Sequence, residues 1–140
     1  MHVRRMTVAL QLTIRNDLAE LPRVEELARS LLDSAGIAED KAFTASVALE
    51  EALSNVIRHG FDDGAVHEIS VRIGVEDDAV VLEIVDEGKE FDPRSAPRTD
   101  VRTPLAERAV GGLGLHLLHN MVGDIRYERS GGRNHLRLCI

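Results

Sequence analysis

The sequence predicts a two-layer α/β (α+β) sandwich, with helices on one face of a mixed, mostly antiparallel sheet. Alternating strand patterns at the start, middle and end of the chain carry this prediction, together with the helical periods that separate them. Size is the third observation. With 140 residues and no internal repeat, the chain reads as one domain, residues 1–140, whose core buries about two thirds of the unfolded surface.

Thr7 to Arg15 alternates Val8, Leu10, Leu12 and Ile14 with Thr7, Ala9, Gln11 and Thr13, the pattern of a half-buried strand. Asn16-Asp17 supplies turn or capping groups. Leu18, Leu21, Val24, Leu27, Ala28, Leu31 and Leu32 then recur at helical spacing as far as Ala35-Gly36, a C-cap sequence. A second helix opens at Ala38-Glu39-Asp40 and stops at Gly60, with Ala45, Leu49, Ala52, Leu53 and Val56 on one arc as its core face. After the loop Phe61-Asp62-Asp63-Gly64, an alternating stretch from His67 to Val75 is joined through Asp77-Asp78 to a more apolar one from Ala79 to Asp86. These two strands form a hairpin.

From Glu87 to Gly112 no period survives, and three of the four prolines fall there. A connector of that length reads as a lid, a binding loop or a disordered segment. Gly112-Leu113-Gly114-Leu115 leads into a short helix through His119 to Val122, ending at Gly123. Asp124 to Arg129 and His135 to Ile140 close the chain as a hairpin around Ser130-Gly131-Gly132.

Composition narrows the function. A net charge of −7 and 3% aromatic residues argue against direct nucleic-acid binding, which needs basic surface and stacking platforms. The single cysteine, Cys139, precludes an internal disulfide and any cysteine-based metal site. Met1 to Met6 leads into a strand pattern, not an apolar run, so neither a signal peptide nor a membrane anchor is expected and the chain reads as cytoplasmic.

The second helix carries polar residues where its burial should end. Glu51, Asn55 and His59 step by four along one ridge beside the apolar stripe. Asn is a poor helix former that needs partners when covered, and Ala48 and Ala52 leave space beside it. A solvated flank fits the same pattern. Asp86 ends an apolar strand, where a carboxylate requires a donor, and the exocyclic amine of adenine is one such donor. Gly88 would let the backbone approach a planar ring, although Asp-x-Gly is equally a turn.

Gly111-Gly112-Leu113-Gly114 bares successive N–H groups at the positive end of a helix dipole, which suits phosphate; glycines also simply permit turns. The side-chain oxygen of Asn55 is a suitable ligand for Mg²⁺, and Glu51, one turn earlier, can orient or deprotonate an attacking hydroxyl. Among six histidines only His116-x-x-His119 has ligand-like spacing, and a surface or core pair explains it as well. Ser54 and Ser130 lack an activating partner in sequence. His59 reads as closing the helix end.

The order Glu51-x-x-x-Asn55, Asp86-x-Gly88, Gly112-x-Gly114 resembles the N-box and the two glycine boxes of the GHKL (Bergerat-fold) ATPases. Within them, the small size, the early strand, His59-Gly60 and Phe91-Asp92-Pro93 are similar to the anti-sigma factor serine kinases. The resemblance covers nearly the whole chain. It implies ATP and Mg²⁺ as cofactors, with Asp86 holding the adenine amine, Gly88 beneath the base and Asn55 ligating the metal. It makes Glu51 the catalytic base, places Gly112 and Gly114 on the phosphates, sets a lid at about 87–112, and points Arg108 from that lid at phosphate. Gly132-Arg133-Asn134 resembles the family's last box, where Thr is common, and Glu90 stands where many members have a second glycine.

The implied activity is phosphorylation, on serine, of an anti-sigma factor antagonist by a homodimeric protein that otherwise sequesters a sigma factor. Two alternatives share the fold. One is a non-catalytic, nucleotide-dependent binding module. The other is the ATP-binding domain of a phosphorelay histidine kinase, against which stands the expectation that no phosphoacceptor helical hairpin precedes the first strand.

Overall fold

A computed structural model of the chain describes residues 6–95 and 122–140. The strands are β1 (Met6–Arg15), β2 (Glu68–Glu76), β3 (Ala79–Asp86), β4 (Asp124–Ser130) and β5 (Arg133–Cys139), and the helices are α1 (Leu21–Ser34) and α2 (Glu39–His59). Every strand pairing among the described residues is antiparallel, in the order β1-β2-β3-β5-β4. The chain is therefore the predicted helix-on-sheet sandwich, and the mixed pairing expected of it does not occur within these residues.

Local chemistry sets the boundaries. The Asp17 side chain accepts a 2.9 Å hydrogen bond from the Ala19 amide, starting a 3₁₀ turn, Leu18–Glu20, that runs directly into α1. Gly36 follows α1 at φ 73°, a left-handed conformation that glycine adopts without strain. The two-residue turn between β2 and β3 places Asp77 at φ 48°, and Asp is among the few side chains that tolerate it. The β2 strand begins at Glu68, one residue later than the alternation suggests, because the His67 amide donates to the Asn16 side chain instead.

The core lies between the sheet and the two helices. Ile14, Ile69, Val71, Ile73, Leu82, Ile84 and Leu138 project from one face of the sheet onto Val24, Ala28 and Leu32 of α1 and Leu49 and Leu53 of α2. Ala42, Ala45, Ala48 and Ala52 are also buried, and their small side chains allow α2 a close approach. Val56, placed on the core arc by the helical period, is only partly buried because it fronts a cavity at the end of α2. No helix among the described residues is long and apolar enough to cross a membrane.

One contact between the helices is unfavourable at neutral pH. Burial and then the neighbouring Glu50 carboxylate hold the Glu25 carboxyl of α1 above its ordinary range, and the two carboxyls hydrogen-bond when one is protonated. A raised carboxyl pKa contributes stability that is complete below the unfolded value and lost as pH rises through the folded one. Glu25→Gln should therefore gain stability relative to the wild type as pH goes from about 4 to about 7, with solvent screening keeping the gain below about 1 kcal/mol. Urea unfolding of both proteins across that range checks the sign.

Candidate nucleotide-binding site

The site is built on the end of β3. Asp86 is the last residue of that strand, is 4% exposed, and stands opposite Asn134 in the β3–β5 register. Its Oδ1 accepts from the Gly88 amide at 2.8 Å and from Asn134 Nδ2 at 2.9 Å. Asp-x-Gly is thus a turn, and it is also the frame that fixes a buried carboxylate. Both hydrogen bonds from described residues fall on Oδ1, which leaves Oδ2 as the oxygen that a bound donor can reach.

The turn docks on the end of α2. The Lys89 amide donates to the Gly60 carbonyl at 2.8 Å. A Cβ on Gly88 would lie 2.8 Å from that same carbonyl oxygen and 2.9 Å from Asp86 Oδ1. This close approach is the structural reason for glycine at that position. Gly88 itself does not line the cavity.

Between α2 and the sheet is a cavity of about 220 Å³ with apolar walls from Ala52, Val56, Phe91, Pro93, Tyr127 and Leu136. Asn55, Asp86 and Asn134 are the buried polar residues among those described, and all three line this one cavity. Asn55, 8% exposed, has an Nδ2 with no hydrogen-bond partner among the described residues. An orphaned buried amide nitrogen costs about 1–3 kcal/mol, and nothing among the described residues offsets that cost.

Glu51 is half-buried one turn before Asn55 and does not line the cavity. Burial first, and the Glu50 carboxylate next, push its carboxyl above the usual range, while Arg58 pulls it down. Glu90 does line the cavity, so the wall that many relatives of the expected family build from a glycine is here an acidic side chain. His59 also lines it, at the basic last turn of α2. Arg108, Gly112 and Gly114 lie outside the described residues, as do most of the helix expected after them and most of the expected lid. At the start of that segment, Lys89 pairs with Asp62 at 2.7 Å, and Pro93–Ser95 forms a 3₁₀ turn.

Three residues of this site did not stand out in the sequence. Asn134 donates through Nδ2 to Asp86 Oδ1 and to the carbonyls of Gly88 (3.3 Å) and Lys89 (2.8 Å). Its Oδ1 accepts from the Tyr127 hydroxyl and from Arg129 Nη1, the latter at 3.0 Å. Arg129 Nη1 also reaches the Gly88 carbonyl at 2.7 Å. Burial pushes the Tyr127 hydroxyl pKa up, so it remains a protonated donor. The one signal in the sequence was Asn134 in a position where Thr is common.

A buried, oriented acceptor and an amide nitrogen unpaired among the described residues line one apolar slot, the arrangement expected of a site in the histidine kinase-like ATPase family. The chain belongs to that family: the histidine kinase-like ATPase domain matches residues 14–140. Among curated relatives, the serine/threonine-protein kinase BtrW of Bordetella bronchiseptica is 32% identical over 69% of this chain and 68% of its own. The serine-protein kinase RsbW of Bacillus subtilis is 28% identical over 69% of this chain and 63% of its own. The matched stretch thus spans about two thirds or less of these relatives' length.

The fold is shared with about a third of a Mycobacterium tuberculosis chain that comprises RsbU and RsbW domains (TM-score 0.68, 18% identity, 95% of this chain and 32% of that one). It is shared also with a blue-light activated histidine kinase of Erythrobacter litoralis (TM-score 0.57, 16% identity, 88% and 59%).

The protein has one tyrosine and no tryptophan, and that tyrosine, Tyr127, lines the cavity. Intrinsic tyrosine emission should therefore change on addition of ATP and saturate with the binding isotherm. Asp86→Asn should weaken this binding by about 1.5–3 kcal/mol, the contribution of a hydrogen bond to a charged group. Unchanged emission in the presence of ATP would remove the cavity from consideration as the base site.

Proposed function

We propose that this chain binds Mg·ATP and transfers the terminal phosphoryl group to a serine of a partner protein, an anti-sigma factor antagonist, while otherwise sequestering a sigma factor. One observation carries the nucleotide part: every buried polar residue among those described faces the same apolar cavity. Asp86 Oδ2 is an acceptor suited to the adenine amine, with the base between Val56, Tyr127 and Leu136. The relatives named as serine-protein kinases support the transfer reaction. The domain extent of 1–140, the homodimer and the cytoplasmic location belong to the same proposal, as do the phosphate contacts of Arg108, Gly112 and Gly114.

The residues present fit the metal. No group of three or more His, Cys, Asp or Glu side chains able to hold one occurs among the described residues. The side-chain oxygen of Asn55 would suit Mg²⁺, a cation that takes oxygen ligands and keeps most of its waters. When bound, the metal offsets charge on the transferred phosphoryl group. The chain's own work is to seat the base, to present Asn55 and to accept a proton from the attacking serine at Glu51.

The roles separate by mutation. Asn55→Ala should impair Mg·ATP binding and everything that depends on it. Glu51→Gln keeps size but loses basicity, so it should retain nucleotide and partner binding while transfer falls by roughly 10²–10⁴-fold. Because the Glu51 carboxyl is held above its usual range, wild-type transfer should rise as pH increases through that raised value and then level off. Labelled-phosphate transfer, nucleotide affinity and antagonist capture are measured on the same preparations. Antagonist captured with Mg·ATP but never labelled would leave a nucleotide-gated binding module.

A further inference from the structure

We infer that Asn134 is the positioning residue that sets base selectivity, by fixing the orientation of the Asp86 carboxylate; this rests on the nucleotide reading above. The orientation of the Asn134 amide is decided by its surroundings. On one side stand three acceptors, Asp86 Oδ1 and the carbonyls of Gly88 and Lys89. On the other stand Arg129 Nη1, which can only donate, and the Tyr127 hydroxyl. The NH₂ group must therefore face Asp86, and Arg129 prevents it from turning round.

The consequence falls on the opposite oxygen of Asp86. Oδ1 is saturated by Asn134 and the Gly88 amide, so the carboxyl plane cannot rotate freely. Oδ2 then offers a lone pair in a fixed direction. An exocyclic amine at the purine six-position donates to it, whereas a keto oxygen there, as in guanine, would meet it acceptor to acceptor. Asn134 thus acts on the base through Asp86 and needs no contact with the reacting phosphate.

The test is the ratio of ATP to GTP affinity, read by calorimetry, in four proteins. Wild type should prefer ATP. Asn134→Asp replaces a donor by a second carboxyl; the pair then shares a proton, Asp86 can donate to a keto group, and the ratio should narrow about tenfold or more. Asn134→Thr retains one donor for Asp86 and should keep most of the preference. Tyr127→Phe removes one hydroxyl, leaves Arg129 in place, and should weaken ATP about two- to tenfold without loss of fold.

A merely structural Asn134 would lower the melting temperature and both affinities together. An unchanged ratio in Asn134→Asp would therefore overturn the inference while the ATP site stands. If Asn134→Asp does not fold, Tyr127→Phe and Asn134→Thr decide instead: ATP affinity undiminished in the first, or preference abolished in the second, would overturn it. A wild type that binds ATP and GTP alike, or neither, overturns the adenine reading of Asp86 and this inference with it.

Discussion

A carboxylate at the buried end of a strand is unfavourable unless donors surround it, and the donors that Asp86 finds come from distant parts of the chain. Asn134 is 48 residues away in sequence and reaches it only because β5 pairs with β3 in the register that sets the two opposite each other. The Gly88 amide reaches it only because the chain turns back within two residues. Satisfying one charge therefore fixes the β3–β5 register, the turn after β3, and the rotamer of the residue that faces the cavity. A shift of that register by one residue would turn every side chain of β5 to the other face and leave Asp86 without its amide.

The second constraint is the contact of two glycines. Gly60 ends α2, and its carbonyl takes the Lys89 amide, while the space where Gly88 would carry a Cβ is occupied by that same carbonyl. The helix that presents Asn55 is thus tied by backbone to the turn that presents Asp86. Side-chain ion pairs such as Lys89–Asp62 add to the tie, but they are exposed and contribute little. The relative placement of the two polar groups rests on main-chain geometry, which varies less than a surface side chain would.

Most of the architecture was legible because it is periodic. The alternation of β1 and β2, the extent of α2 from Glu39 to His59, and the closing hairpin all follow from local patterns, and their observed ends differ by one or two residues. The site was legible where a residue type was out of place, as with Asn55 at the edge of an apolar stripe and Asp86 ending an apolar strand. What periodicity cannot report is which residue of another strand lies opposite. Asn134 as a donor, Tyr127 as a wall, and Gly60 as the reason for Gly88 all depend on pairings between distant segments. For the same reason the ridge placed Glu51 beside Asn55 without revealing that Asn55 and His59 line the cavity and Glu51 does not.

A core that served stability alone would not look like this end of the molecule. Ala52 leaves room where a larger apolar residue would pack, and the buried Nδ2 of Asn55 has no partner among the described residues. Filling the space with methylenes would stabilise by roughly 0.8 kcal/mol for each one buried, and pairing the amide would remove a further penalty of about 1–3 kcal/mol. Around Asp86, by contrast, the donors are fully used, with three acceptors competing for the two hydrogens of Asn134 Nδ2. One polar group is held in place and the other left without a partner. A flat apolar ring whose edge carries a hydrogen-bond donor, and whose substituent carries polar oxygens, meets both conditions at once, and that is the chemical outline of an adenine nucleotide.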